Sequence, residues 1–185
     1  MHGEGSRGAA LVYPPGVTGN LDPGDVVAAS LRAAREAPGK LRGLCTGLGE
    51  RDCARKPGVG KLSLLEHVWH MLDMEREVFG VRMRRVLAED DPNLEPLDVE
   101  EHTVRDEELE GHSLGDVIAR WEVERLANLH LVEGTGPEQW RRPLRHPQIG
   151  RAKFVDLVSR WARHDAEHLR QIEILALNCR ERNLP

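Results

Sequence analysis

Two histidines four residues apart, His164 and His168, stand inside an apolar, periodic segment near the end of the chain. Residues at i and i+4 lie one turn apart on the same face of a helix, so both rings fall in the stripe that faces the core. Buried imidazoles need polar partners. Either carboxylates and carbonyls bind them, or their neutral ring nitrogens share one metal ion with a third ligand from elsewhere in the fold. The large apolar residues that define the stripe are Phe154, Leu157, Trp161, Ile172 and Leu175.

A second histidine pair, His67 and His70, opens another amphipathic segment. Ser63 and Glu66 form a capping-box pattern just before it. The apolar periodicity continues to the acidic stretch at residues 89–92, which predicts a helix of roughly 25 residues. Helices of this length are typical of bundles, in which histidines on facing helices can form a three-histidine metal site.

The remaining pattern predicts further helices and no sheet. Asp22 and Pro23 read as the N-cap and first position of a helix that ends at Pro38. Short helices are predicted within residues 41–53 and 99–109. Ser113 and Asp116 open a third long helix that ends at Gly134. Its apolar stripe is Val117, Ile118, Trp121, Leu126 and Leu129.

Composition fits one compact helical domain at residues 21–185, preceded by a flexible arm at residues 1–20. The chain has 185 residues, of which 39% are hydrophobic and 4% aromatic, enough for a single core rich in helix formers. We expect no membrane span and no signal peptide. Three cysteines, Cys45, Cys53 and Cys179, form no even disulfide framework, which favours ordinary packed or exposed thiols in a cytoplasmic protein. The net charge of −5 argues against a nucleic-acid partner.

Several motifs, in this order and at this spacing, resemble the DinB/YfiT-like superfamily over residues 24–178. They are the Ser63-x-x-Glu66 start with its following histidines, the turn from Arg145 to Gly150, and the His-Asp-x-x-His pattern of the last helix. The resemblance implies a four-helix bundle with long connections, a homodimer, and one divalent metal ion bound by three histidines. Carried over by position, those ligands are His70, His164 and His168.

The resemblance and the periodicity differ over the ligand on the second helix. His67 occupies a position where the family usually has an apolar residue, yet it lies nearer the apolar midline than His70 does. We favour His70 as the ligand and keep His67 as its alternative. Zn and Ni are the favoured ions, although nitrogen ligands suit Cu and Fe as well.

Three histidines leave coordination positions open, which indicates chemistry on a small-molecule substrate. Relatives include thiol-dependent transferases that use bacillithiol or mycothiol, so we expect an S-transferase with a low-molecular-weight thiol cofactor. A metal-dependent hydrolase is the alternative, with Asp73 or Glu75 as a nominal base. A non-enzymatic metal-binding or interaction protein is the third hypothesis.

Residues near the predicted ligands are candidates for supporting roles. Asp73, Asp165 or Glu167 could accept an imidazole N–H and fix the tautomer. Arginines at residues 141–145 could lie at the mouth of the site and suit an acidic substrate. The other histidines are predicted to lie on the surface or in loops, except for one in the family-like turn, which has a turn or supporting role. These surface histidines are His2, His102, His112 and His130, and the turn histidine is His146.

Overall fold

The computed structural model describes residues 21–97 and 104–182, which form a four-helix bundle. The predicted all-α bundle is confirmed. Its long members are α1 (Pro23–Cys45), a composite helix made of α3 (Leu64–Asp73), a π-helical segment (Met74–Phe79) and α4 (Gly80–Ala88), then α6 (Leu114–Glu133) and α8 (Phe154–Arg182). Short helices α2 (Glu50–Cys53), α5 (Asp106–Leu109) and α7 (Pro137–Trp140) lie in the connections.

The contacts between the long helices show which of them are neighbours in the bundle. Helix α1 packs against α8 and α6, and the composite helix packs against α6 and α8. The order around the bundle is therefore α1, α8, composite helix, α6. The predicted arm at residues 1–20 and the part of the predicted 99–109 helix before residue 104 lie outside the described residues.

The predicted N-termini of the long helices are confirmed because local side chains satisfy the first backbone N–H groups. Asp22 accepts a hydrogen bond from the Gly24 N–H at 2.8 Å, and Pro23 follows it. Ser63 forms a capping box with Glu66, and Ser113 forms one with Asp116. These caps place the start of each helix at the residue that the sequence indicated.

The prediction that the first helix ends at Pro38 is wrong, since α1 continues to Cys45. Proline has no N–H, so the carbonyl of Ala34, four residues earlier, loses its usual helical donor. Arg125 of α6 donates from Nη1 to that carbonyl at 3.5 Å. A tertiary contact thus replaces the missing donor inside the bundle.

The second predicted helix has the expected length but includes a π-helical turn. Residues 64–88 are continuously helical, and Met74–Phe79 form the wide turn within them. The Asn128 amide of α6 donates to the Glu75 carbonyl at 3.0 Å. A Cβ on Gly80 would lie 2.8 Å from the Asn128 Oδ1 and 3.0 Å from that carbonyl, so glycine permits this close approach.

A β-hairpin that the sequence did not predict precedes α8. Strands β1 (Pro143–His146) and β2 (Gly150–Lys153) pair antiparallel, and Gly150 takes a left-handed φ of 72° at the turn. Leu94 and Arg145 hold the hairpin to the segment after α4, with Leu94 N–H donating to the Arg145 carbonyl at 2.9 Å. The connection between α6 and α8 is therefore ordered in part by strand pairing.

The core is divided into two apolar clusters by a buried charged layer. One cluster includes Phe79, Phe154 and Trp161, and the other includes Trp121 and Ile172. The layer between them, which we call the Arg125 layer, consists of Glu75, Asn128, Arg125 and Asp165. Its position in the middle of the bundle brings charge next to the histidine-bearing helices.

Candidate metal centre

His70, His164 and His168 converge between α3 and α8. One ring nitrogen from each residue can be chosen so that all three lie within 4.8 Å of one another. The Nε2 atoms of His70 and His164 are 3.4 Å apart. His164 and His168 are buried, while His70 is half-buried. The three residues carried over from the family are therefore the ones that the fold brings together.

The spacing of these nitrogens fits a metal centre. Zinc–nitrogen bonds of about 2.05 Å in a tetrahedron separate two ligand atoms by about 3.3 Å. The observed 3.4 Å between the Nε2 atoms of His70 and His164 agrees with that edge. The ring centroids of His164 and His168 are 4.4 Å apart, so the i, i+4 pair also presents its rings side by side. The donor set suits a borderline-soft divalent ion.

Burial keeps the imidazoles of His164 and His168 neutral. Burial lowers the pKa of His168 to about 3, with further lowering by His70 and His67. Burial also holds the pKa of His164 well below its ordinary value, and His168 adds to this effect. A neutral imidazole has the lone pair that a metal ion requires. The Phe79 ring lies against His164 in an edge-to-face contact with centroids 5.3 Å apart, which helps to exclude water from that side.

His67 lies beside the cluster and contacts one of its members. Its Nδ1 is 3.1 Å from the Nδ1 of His168. Burial lowers the pKa of His67 to about 4, so this ring too is neutral at pH 7. Both histidines of the first pair are therefore near the site, but the converging set contains His70 while His67 faces His168.

The Arg125 layer is the main polar feature that the sequence analysis missed. Arg125 is 1% exposed; it donates to Glu75 at 2.6 Å and to Asp165, and its guanidinium lies between the rings of Trp121 and Trp161. The predicted stripe of α6 contained Leu126, but that residue is 54% exposed. A signal was present, because Arg125 lies four residues after Trp121 and seven after a buried apolar position.

The carboxylates that were candidates for supporting roles have other partners. Asp165 binds Arg125, and Glu167 accepts from Arg170 and Gln171 at 2.8 and 2.9 Å. Burial raises the pKa of both Glu75 and Asp165, although Arg125 opposes that shift. Glu75 is unsuited to the role of a base because Arg125, Asn128 and Trp161 all donate to it. Asp73 remains half-exposed, three residues after His70.

The arginines at residues 141–145 stabilise the hairpin region rather than face the histidines. Arg142 donates to the Val86 carbonyl at 2.7 Å, and Arg145 binds Asp91 at 3.1 Å. Arg160 is nearer the site in sequence, since it lies one helical turn before His164, and it donates to Gln148 at 2.9 Å. The prediction that the 141–145 run serves the site is not supported by these contacts.

The remaining predicted residues have ordinary environments. His112 lies against the Trp69 ring with centroids 5.3 Å apart, and His130 is exposed at the end of α6. His146 is buried in the hairpin, where its Nδ1 accepts from the Gln148 N–H at 3.2 Å. His2 and His102 lie outside the described residues. The thiols of the three cysteines are free, and burial raises the pKa of Cys45 to about 11.

Comparison with known proteins identifies the family. The model of the DinB superfamily matches residues 33–172, most of the chain, including all three converging histidines. The chain belongs to the DinB superfamily. The resemblance drawn from the motifs is therefore confirmed, together with the bundle fold that it implied.

A solved structure shares the fold of this DinB protein. YfiT from Bacillus subtilis aligns with a TM-score of 0.76 at 16% sequence identity, and the alignment covers 90% of this chain and 93% of that one. YfiT is described as a probable metal-dependent hydrolase with an unusual four-helix bundle topology. At this identity the likeness shows the fold alone.

Two further findings concern curated proteins and membrane-spanning helices. No curated protein matches the sequence. Among the described residues, no helix combines the length and the apolar character that crossing a membrane requires.

Proposed function

We propose that this DinB protein is a metal-dependent enzyme in which His70, His164 and His168 bind one divalent ion. The observation that carries the proposal is the convergence of three imidazoles, in which the Nε2 atoms of His70 and His164 have a 3.4 Å separation suited to a tetrahedral ion. Three protein ligands leave at least one position for water, cofactor or substrate, an arrangement typical of catalytic rather than structural sites. Zn and Ni are the ions we favour.

A bound divalent ion would lower the pKa of a water molecule or thiol that it binds, so either could act as a nucleophile near neutral pH. The three imidazoles are neutral when they bind a metal ion, so they do not reduce the positive charge of the ion. Phe79 shields one side of His164 from water, which strengthens electrostatic interactions there. These residues bind and orient; the nucleophile comes from outside the protein.

We favour the sulfur of a low-molecular-weight thiol, of the bacillithiol or mycothiol type, as that nucleophile, which makes the protein an S-transferase. A free thiol has a pKa of about 8.5 and water one of about 15.7, so the thiol depends less on a protein base. Glu75, one of the two nominal bases, is bound by Arg125, Asn128 and Trp161 inside the core.

A hydrolase is the second candidate, and the described character of the structurally similar YfiT supports it. Asp73 is the carboxylate best placed for it, because it is half-exposed and follows His70 by three residues. A small-molecule substrate and a homodimeric state belong to both proposals.

The first experiment measures metal content by elemental analysis in the wild type and in His70→Ala, His164→Ala and His112→Ala. We expect about one ion per chain in the wild type and in the His112 control, and loss of the ion in the other two variants. Retention of a full ion in both His70→Ala and His164→Ala would overturn the site.

Activity assays then separate the two reactions. The metal-loaded protein is incubated with electrophiles with and without a low-molecular-weight thiol, and with esters in the absence of thiol. Consumption of an electrophile only with thiol supports the transferase, and thiol-independent ester cleavage supports the hydrolase. If removing the metal unfolds the protein and neither reaction occurs, the ion is structural and both enzymatic proposals fail.

A further inference from the structure

His67 is a buried histidine whose polar contact is with another histidine. Its side chain is 6% exposed, and its Nδ1 lies 3.1 Å from the Nδ1 of His168. The two ring centroids are 5.4 Å apart, and the ring planes are inclined by 60°, so the rings meet through their nitrogens rather than stack. At this distance the two nitrogens share one hydrogen.

We infer that His67 is a positioning residue that accepts a hydrogen bond from the Nδ1–H of His168 and thereby directs the Nε2 of His168 toward His70 and His164. This inference rests on the proposed metal centre. It assigns to His67 a role different from the one that the sequence left open, which was to replace His70 as a ligand.

The tautomers decide the direction of this hydrogen bond. A neutral imidazole carries a single N–H. If His67 donated, the hydrogen of His168 would be on Nε2, and that nitrogen would have no lone pair for an ion. If His168 donates, its Nε2 is unprotonated and available. Metal binding through the Nε2 of His168 therefore requires His67 to be the acceptor.

The usual acceptors for a ligating histidine are a carboxylate, a backbone carbonyl or water. The two carboxylates closest to His168 in sequence have other partners, since Asp165 binds Arg125 and Glu167 binds Arg170 and Gln171. His67 fills the position that such an acceptor would take. As a neutral group it orients His168 without adding negative charge, so the centre favours an anionic fourth ligand such as a thiolate.

The test compares Zn²⁺ affinity in the wild type, His67→Leu and His67→Asn, measured by competition with a chromophoric chelator. Leucine keeps apolar volume and removes the acceptor. Asparagine places its Oδ1 near the position of the Nδ1 and so keeps an acceptor. Loss of such a partner weakens metal binding roughly 10- to 100-fold, so we expect that increase in Kd for His67→Leu and a Kd within about threefold of wild type for His67→Asn.

Two controls separate positioning from a loss of folding. His112→Leu makes the same change at a histidine outside the site and is expected to leave the Kd unchanged. Urea denaturation without metal checks that His67→Leu remains folded. Equal affinity of the wild type and a folded His67→Leu would overturn the inference while leaving the metal centre intact, whereas a wild type that binds no Zn²⁺ would overturn both.

A second measurement reports the hydrogen bond directly. Two-bond ¹H–¹⁵N correlation spectra of the Zn²⁺-loaded protein are expected to show His168 protonated at Nδ1 and His67 protonated at Nε2. A spectrum with His67 protonated at Nδ1 would reverse the donor and contradict the inference. The decisive signal is the tautomer of His67, because Zn²⁺ on the Nε2 of His168 already leaves the hydrogen of that ring on Nδ1, whereas only the hydrogen bond requires an unprotonated Nδ1 on His67.

Discussion

The Arg125 layer and the histidine cluster are both polar groups buried in the same bundle, but their partners differ. In the layer, Arg125 faces two carboxylates, and Asn128 and Trp161 donate to Glu75 as well. In the cluster, ring nitrogens of His70 and His164 face each other at 3.4 Å. Charges of opposite sign complete the layer within the protein, whereas converging lone pairs are best completed by a cation. The comparison supports the proposal that the layer stabilises the fold while the cluster binds a metal ion.

The sharpest way to break this comparison is Arg125→Met, for which we expect the largest loss of stability. The substitution leaves Glu75 and Asp165 buried without their cation, and breaking a buried ion pair in this way costs about 3–5 kcal/mol. Urea denaturation of the metal-free protein measures this change in the free energy of unfolding. His70→Ala, at the half-exposed edge of the cluster, should cost less than about 1 kcal/mol under the same conditions.

A matched background separates charge from packing in that experiment. In a Glu75→Gln/Asp165→Asn protein, Arg125→Met no longer strands two carboxylates, so its cost should be smaller than in the wild type. An equal cost in both backgrounds would show that Arg125 contributes through its contacts with Trp121 and Trp161 alone.

Binding of a metal ion at the histidine cluster should give the next largest effect, a stabilisation of the folded protein. An ion that binds only the folded chain adds about 2.7 kcal/mol at 100 times its Kd. We expect this gain for the wild type with Zn²⁺ and no gain in His164→Ala. Thermal or urea unfolding with and without Zn²⁺ measures the difference. The gain should persist in a folded variant of the layer such as Glu75→Gln. A gain in His164→Ala equal to that of the wild type would place the ion elsewhere.

Gly80→Ala tests the close packing between the π-helical segment and the Arg125 layer. We expect a smaller change in the free energy of unfolding. The added Cβ would meet the Asn128 amide and the Glu75 carbonyl, and such overpacking costs about 1–3 kcal/mol. Gly39→Ala is the matched control, because a Cβ there meets nothing within 4 Å in α1 and should stabilise by about 0.5–1 kcal/mol. Chemical denaturation compares the two, and similar effects at both positions would contradict the close approach.

The smallest expected effect concerns pH and His146, a buried histidine outside both regions. Burial, helped by Arg160 and Arg82, lowers its pKa to about 4 from an unfolded value of about 6.5. Between these values the unfolded chain binds more protons, so the free energy of unfolding decreases as the pH falls. From pH 7.5 to about pH 5.8 the metal-free wild type should lose about 1 kcal/mol more than His146→Asn, whose amide still accepts from Gln148. Parallel pH profiles for the two proteins would contradict this.

The sequence predicted most of the helical framework because its signals are local. Caps at Asp22, Ser63 and Ser113 fixed three helix starts, and the apolar period gave the length of the composite helix. Pro38 misled the prediction, since the donor that replaces its N–H, Arg125, comes from a residue 87 positions later in the chain. The hairpin was missed because its two strands are only four residues each and depend on pairing with each other and with the segment after α4.

Some residues of the candidate site could also be predicted from the sequence, whereas others could not. His164 and His168 could be named as candidates from their i, i+4 spacing, whereas His70 was chosen over His67 on the family resemblance. The sequence did not predict which side chains the residues next to these histidines would contact. Asp165 lies next to His164 in sequence, yet it turns toward Arg125 on α6, and His67 takes the place beside His168.

The sequence by itself determined most of the helical framework and the pair His164 and His168, since these depend on residue type and on spacing within a turn or two. The choice of His70 over His67 depended on the family resemblance. Only the tertiary structure decided which buried polar groups satisfy one another. Arg125 pairs with Glu75 and Asp165, and His67 contacts His168, because the packing of the composite helix, α6 and α8 brings together side chains 40 to 101 residues apart. Hydrogen bonds and ion pairs depend on distances of a few ångströms, and periodicity along one helix does not specify the distance to the next.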